Sequence, residues 1–295
     1  MRNLKSKWNK FLGKKIITYD PDEGIEKSTF EKAGLKLIGL YNPKREERFA
    51  LPSLAENLSN DRAFICTFND YDLTMLANKK PIFRYHGMLL KQSEIIEQNV
   101  FDLIDLKKTS EWIENHGGTR GWRNMCRGGA ASIDRSHSQF VFDALPIEDY
   151  PVVKINENLG YVDYPAGNIF ICGSGVLEKR IDILARIIEK YRKNFKNWDM
   201  LTLKKDNTLN DNEAIYTILW HKGNIVWIPR KRETPDNGIS DSSGGLEIGG
   251  IFSCTKKDEF EKLNYEILAQ TLKSVSFPQN QINENFADIL KLQNS

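Results

Sequence analysis

Two carboxylates one residue apart, Asp70 and Asp72, follow an apolar run and have the DxD form. Carboxylate oxygens at this spacing can share one divalent cation, and a hard cation such as Mg²⁺ or Mn²⁺ can then hold a diphosphate. A bare DxD also arises by chance in most chains of this length, and a turn with Asx hydrogen bonds is the alternative. The pair therefore indicates a candidate metal site, to be weighed against a plain turn.

A second polar cluster, Asn156-Glu157-Asn158, follows the strand-like run "YPVVKI". A carboxylate between two amides has the oxygen ligands to hold a metal weakly, or the groups to hydrogen-bond a sugar. The alternative is a hairpin turn that leads into Gly160. We take Glu157 as a candidate metal ligand beside Asp70 and Asp72.

Three arginines lie close together in and around "GWRNMCR". In a helix, Arg120, Arg123 and Arg127 would stand at i, i+3 and i+7, on one face. Guanidinium groups in that arrangement can clamp the phosphates of a donor. The alternative is a solvated or salt-bridged face.

Asp211 and Glu213 stand at the start of "NDNEAIYTILW" (210–220), which has the apolar spacing of a helix. Acids are favoured in a first helical turn by the helix dipole alone, so capping is the simpler role. The functional alternative is a general base directed at a bound hydroxyl.

The elements that would position these residues alternate between strands and helices in the first third of the chain. Strands are predicted at "KKIITYD" (14–20), "LKLIGLYNP" (35–43), "RAFICTF" (62–68) and "KPIFRYHG" (80–87), with helices at "STFEKAG" and "FALPSLAENLSND" (49–61). This alternation is typical of an α/β fold with a mixed, mostly parallel, Rossmann-like sheet flanked by helices. Such sheets bind ligands at the carboxyl ends of their strands, where Tyr19, Asp20 and Asp70 lie.

The clearest pattern in the chain is a core helix over 176–195. One apolar stripe is formed by Leu177, Ile181, Leu184, Ile188, Tyr191 and Phe195. Before it, Gly173-Ser174-Gly175 either only turns the chain or also holds a ligand, and a turn is the simpler interpretation. A strand is predicted at "NIVWIP" (224–229), and residues 95–150 are predicted to be helical but interrupted by glycines.

The composition is that of a globular protein, with 40% apolar residues, 28% charged residues and a net charge of +2. This charge gives no global argument for nucleic-acid or membrane binding, although "RNLKSKWNKFLGKK" is a basic start that is either solvated or docks on a membrane surface or polyanion. No run reaches the length of a transmembrane helix. The cysteines and histidines are scattered without CxxC or HxH spacing, so we expect free thiols and a cytoplasmic protein. We expect an α/β catalytic-type domain over 1–255 and a C-terminal helical extension over 256–295.

The second half of the chain resembles the GT-A-fold nucleotide-sugar glycosyltransferases over residues 120–229. The corresponding segments are "WRNMCR", "NENLGYVDYPAGNIFICGSG", the helix 176–195, "NDNEAIYTIL" and "NIVWIP". The family's DxD position holds Asn156-Glu157-Asn158 here. The metal site would therefore have moved to 70–72, or Arg and Lys would hold the phosphates without a metal.

The resemblance implies a glycosyltransferase that moves a sugar from a nucleotide-sugar donor to a hydroxyl acceptor. Mg or Mn would lie under the donor diphosphate, Asp211 or Glu213 would be the base, and Asn168 and Ser174 would face the acceptor. Two alternatives stay open at this point. One is a metal-dependent phosphoesterase or nuclease acting on nucleic acid, and the other is a non-catalytic binding module.

Overall fold

The computed structural model describes residues 2–14, 17–45, 64–68, 73–78, 80–91, 102–125, 136–194, 215–237, 239 and 243–291. These residues contain thirteen strands and eight helices. The strands are β1 (Glu26–Lys32), β2 (Leu35–Tyr41), β3 (Phe64–Phe68), β4 (Leu73–Ala77), β5 (Gly87–Lys91), β6 (Arg120–Asn124), β7 (His137–Val141), β8 (Val152–Lys154), β9 (Leu159–Val162), β10 (Ile169–Ile171), β11 (Tyr216–His221), β12 (Asn224–Pro229) and β13 (Ile251–Cys254). The helices are α1 (Arg2–Gly13), α2 (Leu103–Asn115), α3 (Leu177–Asn194), α4 (Gly245–Ile248), α5 (Lys257–Glu261), α6 (Tyr265–Val275), α7 (Gln279–Asn285) and α8 (Ala287–Lys291).

The prediction of a mostly parallel, Rossmann-like GT-A sheet is wrong. Ten strands form one sheet in the order β3-β4-β5-β7-β6-β11-β12-β10-β9-β8, and every neighbouring pair in it is antiparallel. Among the described strands, parallel pairing occurs between β2 and β13, in a separate three-stranded sheet. The alternation of strands and helices fails because several short segments predicted as helices are strands that pair with their sequence neighbours.

Three of these segments account for most of the error. "STFEKAG" lies in β1 and a tight turn, "GWRN" lies in β6, and "YTILW" lies in β11. The strands predicted at 35–43, 62–68 and 224–229 are confirmed as β2, β3 and β12, and the long core helix is confirmed as α3. The predicted strand at 80–87 is a turn that precedes β5, and the predicted helix over 49–61 lies outside the described residues.

The two faces of the ten-stranded sheet are covered by different layers. The first face packs against α2 and α3, with Trp112, Leu184 and Tyr191 among its buried side chains. The second face packs against the three-stranded sheet and α6, through residues such as Trp122 and Leu272. Because side chains alternate along a strand, strands such as β7, β11 and β12 contribute to both cores. In the described part of the chain, no helix is long and apolar enough to cross a bilayer.

Candidate functional site

Two polar side chains of β7, His137 and Gln139, point to the second face of the sheet. Their neighbours fix this assignment, since Phe140 belongs to the core of the first face and Val141 to the core of the second. Residues two apart on a strand share a face. His137 is 5% exposed and Gln139 is partly exposed, so the strand presents an imidazole and an amide side by side.

A row of polar side chains crosses the sheet from His137. The register of β6 and β7 pairs Trp122 with Gln139, and extending this antiparallel register by two residues places Asn124 opposite His137. Asn124 pairs in turn with Thr217 of β11, whose hydroxyl donates to Asn124 Oδ1 at 3.3 Å. We call His137, Asn124 and Thr217 the polar row. These polar side chains lie on a face whose other buried residues are apolar. They require hydrogen bonds within the protein, because burying an unpaired polar group costs free energy.

A buried arginine completes the hydrogen bonds at the far end of the polar row. Arg230, directly after β12, donates from Nη1 to Thr217 Oγ1 at 3.2 Å and from Nη2 to the Ser243 carbonyl at 2.9 Å. Its Nε donates to the Val275 carbonyl at 3.2 Å, at the end of α6. Burial lowers the pKa of Arg230 to about 10, against the opposing effect of the nearby carboxylates, so the group stays cationic at neutral pH.

Gln139 is held from the other side by His86, in the turn between β4 and β5. His86 Nε2 lies 2.9 Å from Gln139 Oε1, and the His86 ring packs 5.3 Å from the ring of Trp122. Burial lowers the pKa of His86 to about 3, and the charge of Arg45 acts in the same direction. The imidazole is therefore neutral at physiological pH, beside a cationic guanidinium.

The strand ends that carry the polar row are anchored on the opposite face of the sheet. Arg123 of β6 donates from Nη1 to Asp105 Oδ2 of α2 at 2.5 Å, and Ser136, directly before β7, donates to the same oxygen. All three side chains are buried. The Asp105 carboxylate thus ties α2 to β6 and to the start of β7. Its two partners, Arg123 and Ser136, directly precede Asn124 and His137 in the chain.

The side chains on the second face have the chemistry of a phosphate site. An imidazole can act as a nucleophile or base towards phosphorus. Amide and guanidinium N–H groups donate to anionic oxygens. His137, Gln139 and Arg45 supply one group of each kind around the turn that holds His86.

Five of the residues predicted from the sequence to form the site lie outside the described residues. They are Asp70, Asp72, Arg127, Asp211 and Glu213. Within the described part of the chain, no three His, Cys, Asp or Glu side chains come together as a metal cluster. The Mg or Mn site stays a prediction, because two of its three expected ligands are among these five.

Tyr19 and Asp20 lie in the segment between α1 and β1, and not at the end of a strand. The Tyr19 hydroxyl donates to the Pro81 carbonyl at 2.8 Å and accepts from Asn42 at 3.1 Å. Asp20 forms an ion pair of 2.6 Å with Arg84. Both contacts hold the turn that carries His86, and the charge of Arg45 acts on the Tyr19 hydroxyl as well as on His86.

The prediction that a helix aligns Arg120 and Arg123 on one face is wrong, because both belong to a strand and point to opposite faces of the sheet. Arg120 donates from Nε and Nη2 to the two carboxylate oxygens of Glu148, at 2.8 and 3.0 Å. Burial raises the pKa of Glu148, but these bonds and the Leu145 N–H outweigh it and lower the pKa to about 2. Arg120 pairs with His221 of β11, at the other end of the second face from His137.

Glu157, Asn168 and Ser174 have local roles in turns. Glu157 is exposed and accepts from Asn158 Nδ2 at 2.9 Å, and its turn lies five strands from β7, about 24 Å at the usual strand spacing. Asn168 is fully buried, and its amide closes the turn between β9 and β10 on the backbone of Val162. Ser174 is exposed and lies 3.3 Å from the Cys172 sulfur.

His137, Gln139 and His86 are not among the site residues predicted from the sequence. The available signal was the pair His137-x-Gln139 in "SHSQFVF", since a strand there would place both side chains on one face. The glycines upstream favoured interrupted helices instead. No local sequence pattern indicates a role for His86, because its partner Gln139 is 53 residues away in the chain.

Solved structures with similar folds were found for the chain, whereas no family model and no curated protein sequence matches it. Yeast Ap4A phosphorylase in complex with AMP is similar with a TM-score of 0.69 and 14% sequence identity, over 94% of this chain and 97% of the yeast chain. The same phosphorylase in complex with Ap4A is similar with the same score and identity, over 94% and 98%. The chain shares the fold of that phosphorylase.

This likeness overturns the glycosyltransferase interpretation. The similar structures belong to a phosphorylase with AMP or Ap4A bound, and they cover nearly the whole chain. The resemblance to GT-A enzymes rested on the order of elements over 120–229, and β6 and β11 are strands where that order requires helices. The expected nucleotide-sugar donor and hydroxyl acceptor are therefore wrong, and the nuclease and non-catalytic alternatives are not matched either.

Proposed function

We propose that the chain binds a nucleotide with its phosphates against His137 and Gln139, and that it cleaves a phosphoanhydride bond of a dinucleoside polyphosphate. The observation that carries this proposal is the placement of His137 and Gln139 side by side on the second face. The shared fold supports it, because the yeast phosphorylase with this fold is described with both AMP and Ap4A bound.

The roles of the residues follow from their chemistry. The imidazole of His137 attacks phosphorus, so that a P–N bond forms while the anhydride P–O bond breaks and the second nucleotide leaves. Phosphate or water then attacks the same phosphorus and releases the histidine. The N–H groups of Gln139 and Arg45 stabilise the charge on the phosphate oxygens. The cytoplasmic setting expected from the scattered cysteines stays a prediction.

The proposal is tested by incubating the protein with Ap4A, with and without phosphate, and separating the nucleotide products by anion exchange. We expect turnover by the wild type and a loss of at least about 1000-fold for His137→Asn, since the nucleophile is removed. His221→Asn is the matched control, because it alters another 5%-exposed histidine at the other end of the same face. Equal turnover by His137→Asn and wild type would overturn the role of His137.

A further inference from the structure

His86 is a buried histidine with two different hydrogen-bonding neighbours. The Ile82 backbone N–H donates to Nδ1 at 3.3 Å, while Nε2 faces Gln139 Oε1 at 2.9 Å. The ring is 1% exposed and packs near Trp122. The orientation of this ring is therefore fixed by contacts on both edges.

The Ile82 N–H decides which nitrogen of His86 carries the proton. A backbone N–H only donates, so Nδ1 must accept and the proton of the neutral ring must be on Nε2. Nε2–H then donates to Gln139, and the oxygen of the Gln139 amide has to face it. Asn78 Nδ2 lies 3.3 Å from the same Nε2, which in this tautomer is a contact between two donor groups.

We propose that His86 is a positioning residue that fixes the amide of Gln139, so that its NH₂ group faces the phosphate of a bound nucleotide. The proposal rests on the nucleotide site proposed above and names the residue that sets the polarity of that site. A glutamine amide can rotate to present either its oxygen or its nitrogen. Only the nitrogen attracts an anionic phosphate oxygen, and the oxygen repels it.

The state of the Gln139 amide supports this role. Its oxygen is bound to His86, and no residue in the described part of the chain accepts a hydrogen bond from its nitrogen. The side chain is partly exposed on the second face, next to His137. A pair of N–H donors is thus left available at the surface of the site, which suits a charge-assisted bond to phosphate.

The burial of His86 keeps this arrangement constant at physiological pH. A second proton would turn Nδ1 into a donor facing the Ile82 N–H and would remove its role as acceptor. The low pKa of His86, caused mainly by burial, excludes that state in neutral solution.

A double-mutant cycle on AMP affinity tests the coupling. The dissociation constant of AMP is measured by calorimetry for the wild type, His86→Leu, Gln139→Leu and the double variant. We expect each single change to weaken binding about tenfold, as for one bond to a charged group, and the double variant to be no weaker than Gln139→Leu. His221→Leu is the control for replacing a buried histidine on this face, and we expect it to bind AMP like the wild type.

Two further measurements separate positioning from a structural role. His86→Gln places an amide N–H near the position of Nε2, and we expect it to recover most of the affinity that His86→Leu loses. In the wild type, ¹H–¹⁵N NMR of the His86 ring should show the proton on Nε2. The NMR measurement uses the wild type alone, so it does not depend on any variant being folded.

The outcomes distinguish this proposal from the proposed function. AMP binding that Gln139→Leu weakens and His86→Leu leaves unchanged would overturn the role of His86 alone, as would additive losses or a proton on Nδ1. A folded wild type that does not bind AMP would overturn the nucleotide site and the role of His86 with it.

Discussion

At the residue scale, the stability of the site depends on the carboxylate of Asp105. This buried side chain accepts from both Arg123 and Ser136, so that it neutralises one cation and anchors two strands. A buried ion pair contributes little compared with an apolar replacement, but removing one partner leaves an uncompensated charge.

We therefore predict that Asp105→Asn lowers the free energy of unfolding by about 3–5 kcal/mol, as measured by urea denaturation. The double variant Asp105→Leu with Arg123→Met should lose less, because it removes both charges together. A single variant as stable as the wild type would show that the Asp105 carboxylate does not hold these strands.

His221 gives a prediction on pH at the same scale. It is buried, both ring nitrogens lack hydrogen-bond partners in the described part of the chain, and burial lowers its pKa from 6.5 to about 4. Glu148 opposes this shift, while Lys222 and Arg120 add to it. Between pH 6.5 and 4 the unfolded chain binds more protons at this residue, so folding stability is full above pH 6.5 and falls as the solution is acidified.

We predict that His221→Leu gains stability relative to the wild type as the pH is lowered from 7 to 4. The gain approaches about 3 kcal/mol, which corresponds to the shift of the His221 pKa. Unfolding free energies at several pH values measure it. A difference between the two proteins that stays constant with pH would show that His221 is not buried in its neutral form.

At the element scale, the sequence predicts long and strongly patterned segments better than short ones. The stripe from Ile181 to Tyr191 repeats over about three turns, and it is buried in α3 as predicted. In contrast, "STFEK", "GWRN" and "YTILW" are each too short for their apolar spacing to separate strand from helix. Antiparallel pairing decides them. β1 pairs with the adjacent β2, whereas β6 pairs with β7 and with β11, whose residues lie almost a hundred positions further along the chain.

The candidate site can likewise be predicted from the sequence only in part. Once β7 is known to be a strand, the placement of His137 and Gln139 on one face can be derived from the sequence. The bond between His86 and Gln139 cannot be derived in this way, because the two residues are 53 positions apart. In addition, His86 lies in a turn that local patterns predicted as a strand.

The turn between β10 and α3 answers the question raised by Gly173-Ser174-Gly175. Gly173 donates its N–H to Asn224 Oδ1 at 2.8 Å, and a Cβ on Gly173 would lie 2.7 Å from the Gly223 carbonyl carbon. A Cβ on Gly175 would meet nothing closer than Asn158 Oδ1 at 3.7 Å. The first glycine is therefore required for the close approach of two turns, and no ligand is needed to explain it.

We predict that Gly173→Ala destabilises the protein by about 1–3 kcal/mol, because backbone atoms of the facing turn must move. Gly175→Ala is the matched control in the same turn and should change stability by less than about 1 kcal/mol. Thermal and urea unfolding of both variants measure the difference. Equal stabilities would contradict the close packing of this turn.

At the scale of the whole molecule, the second face connects the site to the C-terminal helices. The polar row begins at His137 and ends at Thr217, whose hydroxyl accepts from Arg230. Arg230 donates in turn to the carbonyl of Val275, the last residue of α6. The strand that carries His137 is thus connected to the end of α6 through the pairing of β7, β6 and β11 and through the bonds of Thr217 and Arg230. A ligand bound to the native state at this site stabilises the whole fold by mass action.

The central claim is that a nucleotide phosphate lies against Gln139 and His137 on this face. The measurement that tests it most directly is a calorimetric titration of AMP into the wild type, Gln139→Leu and His221→Leu, each checked for folding by its thermal transition. We predict that the wild type and His221→Leu bind AMP equally well and that Gln139→Leu binds about tenfold more weakly. No AMP binding to the folded wild type, or equal binding by Gln139→Leu, would contradict the account.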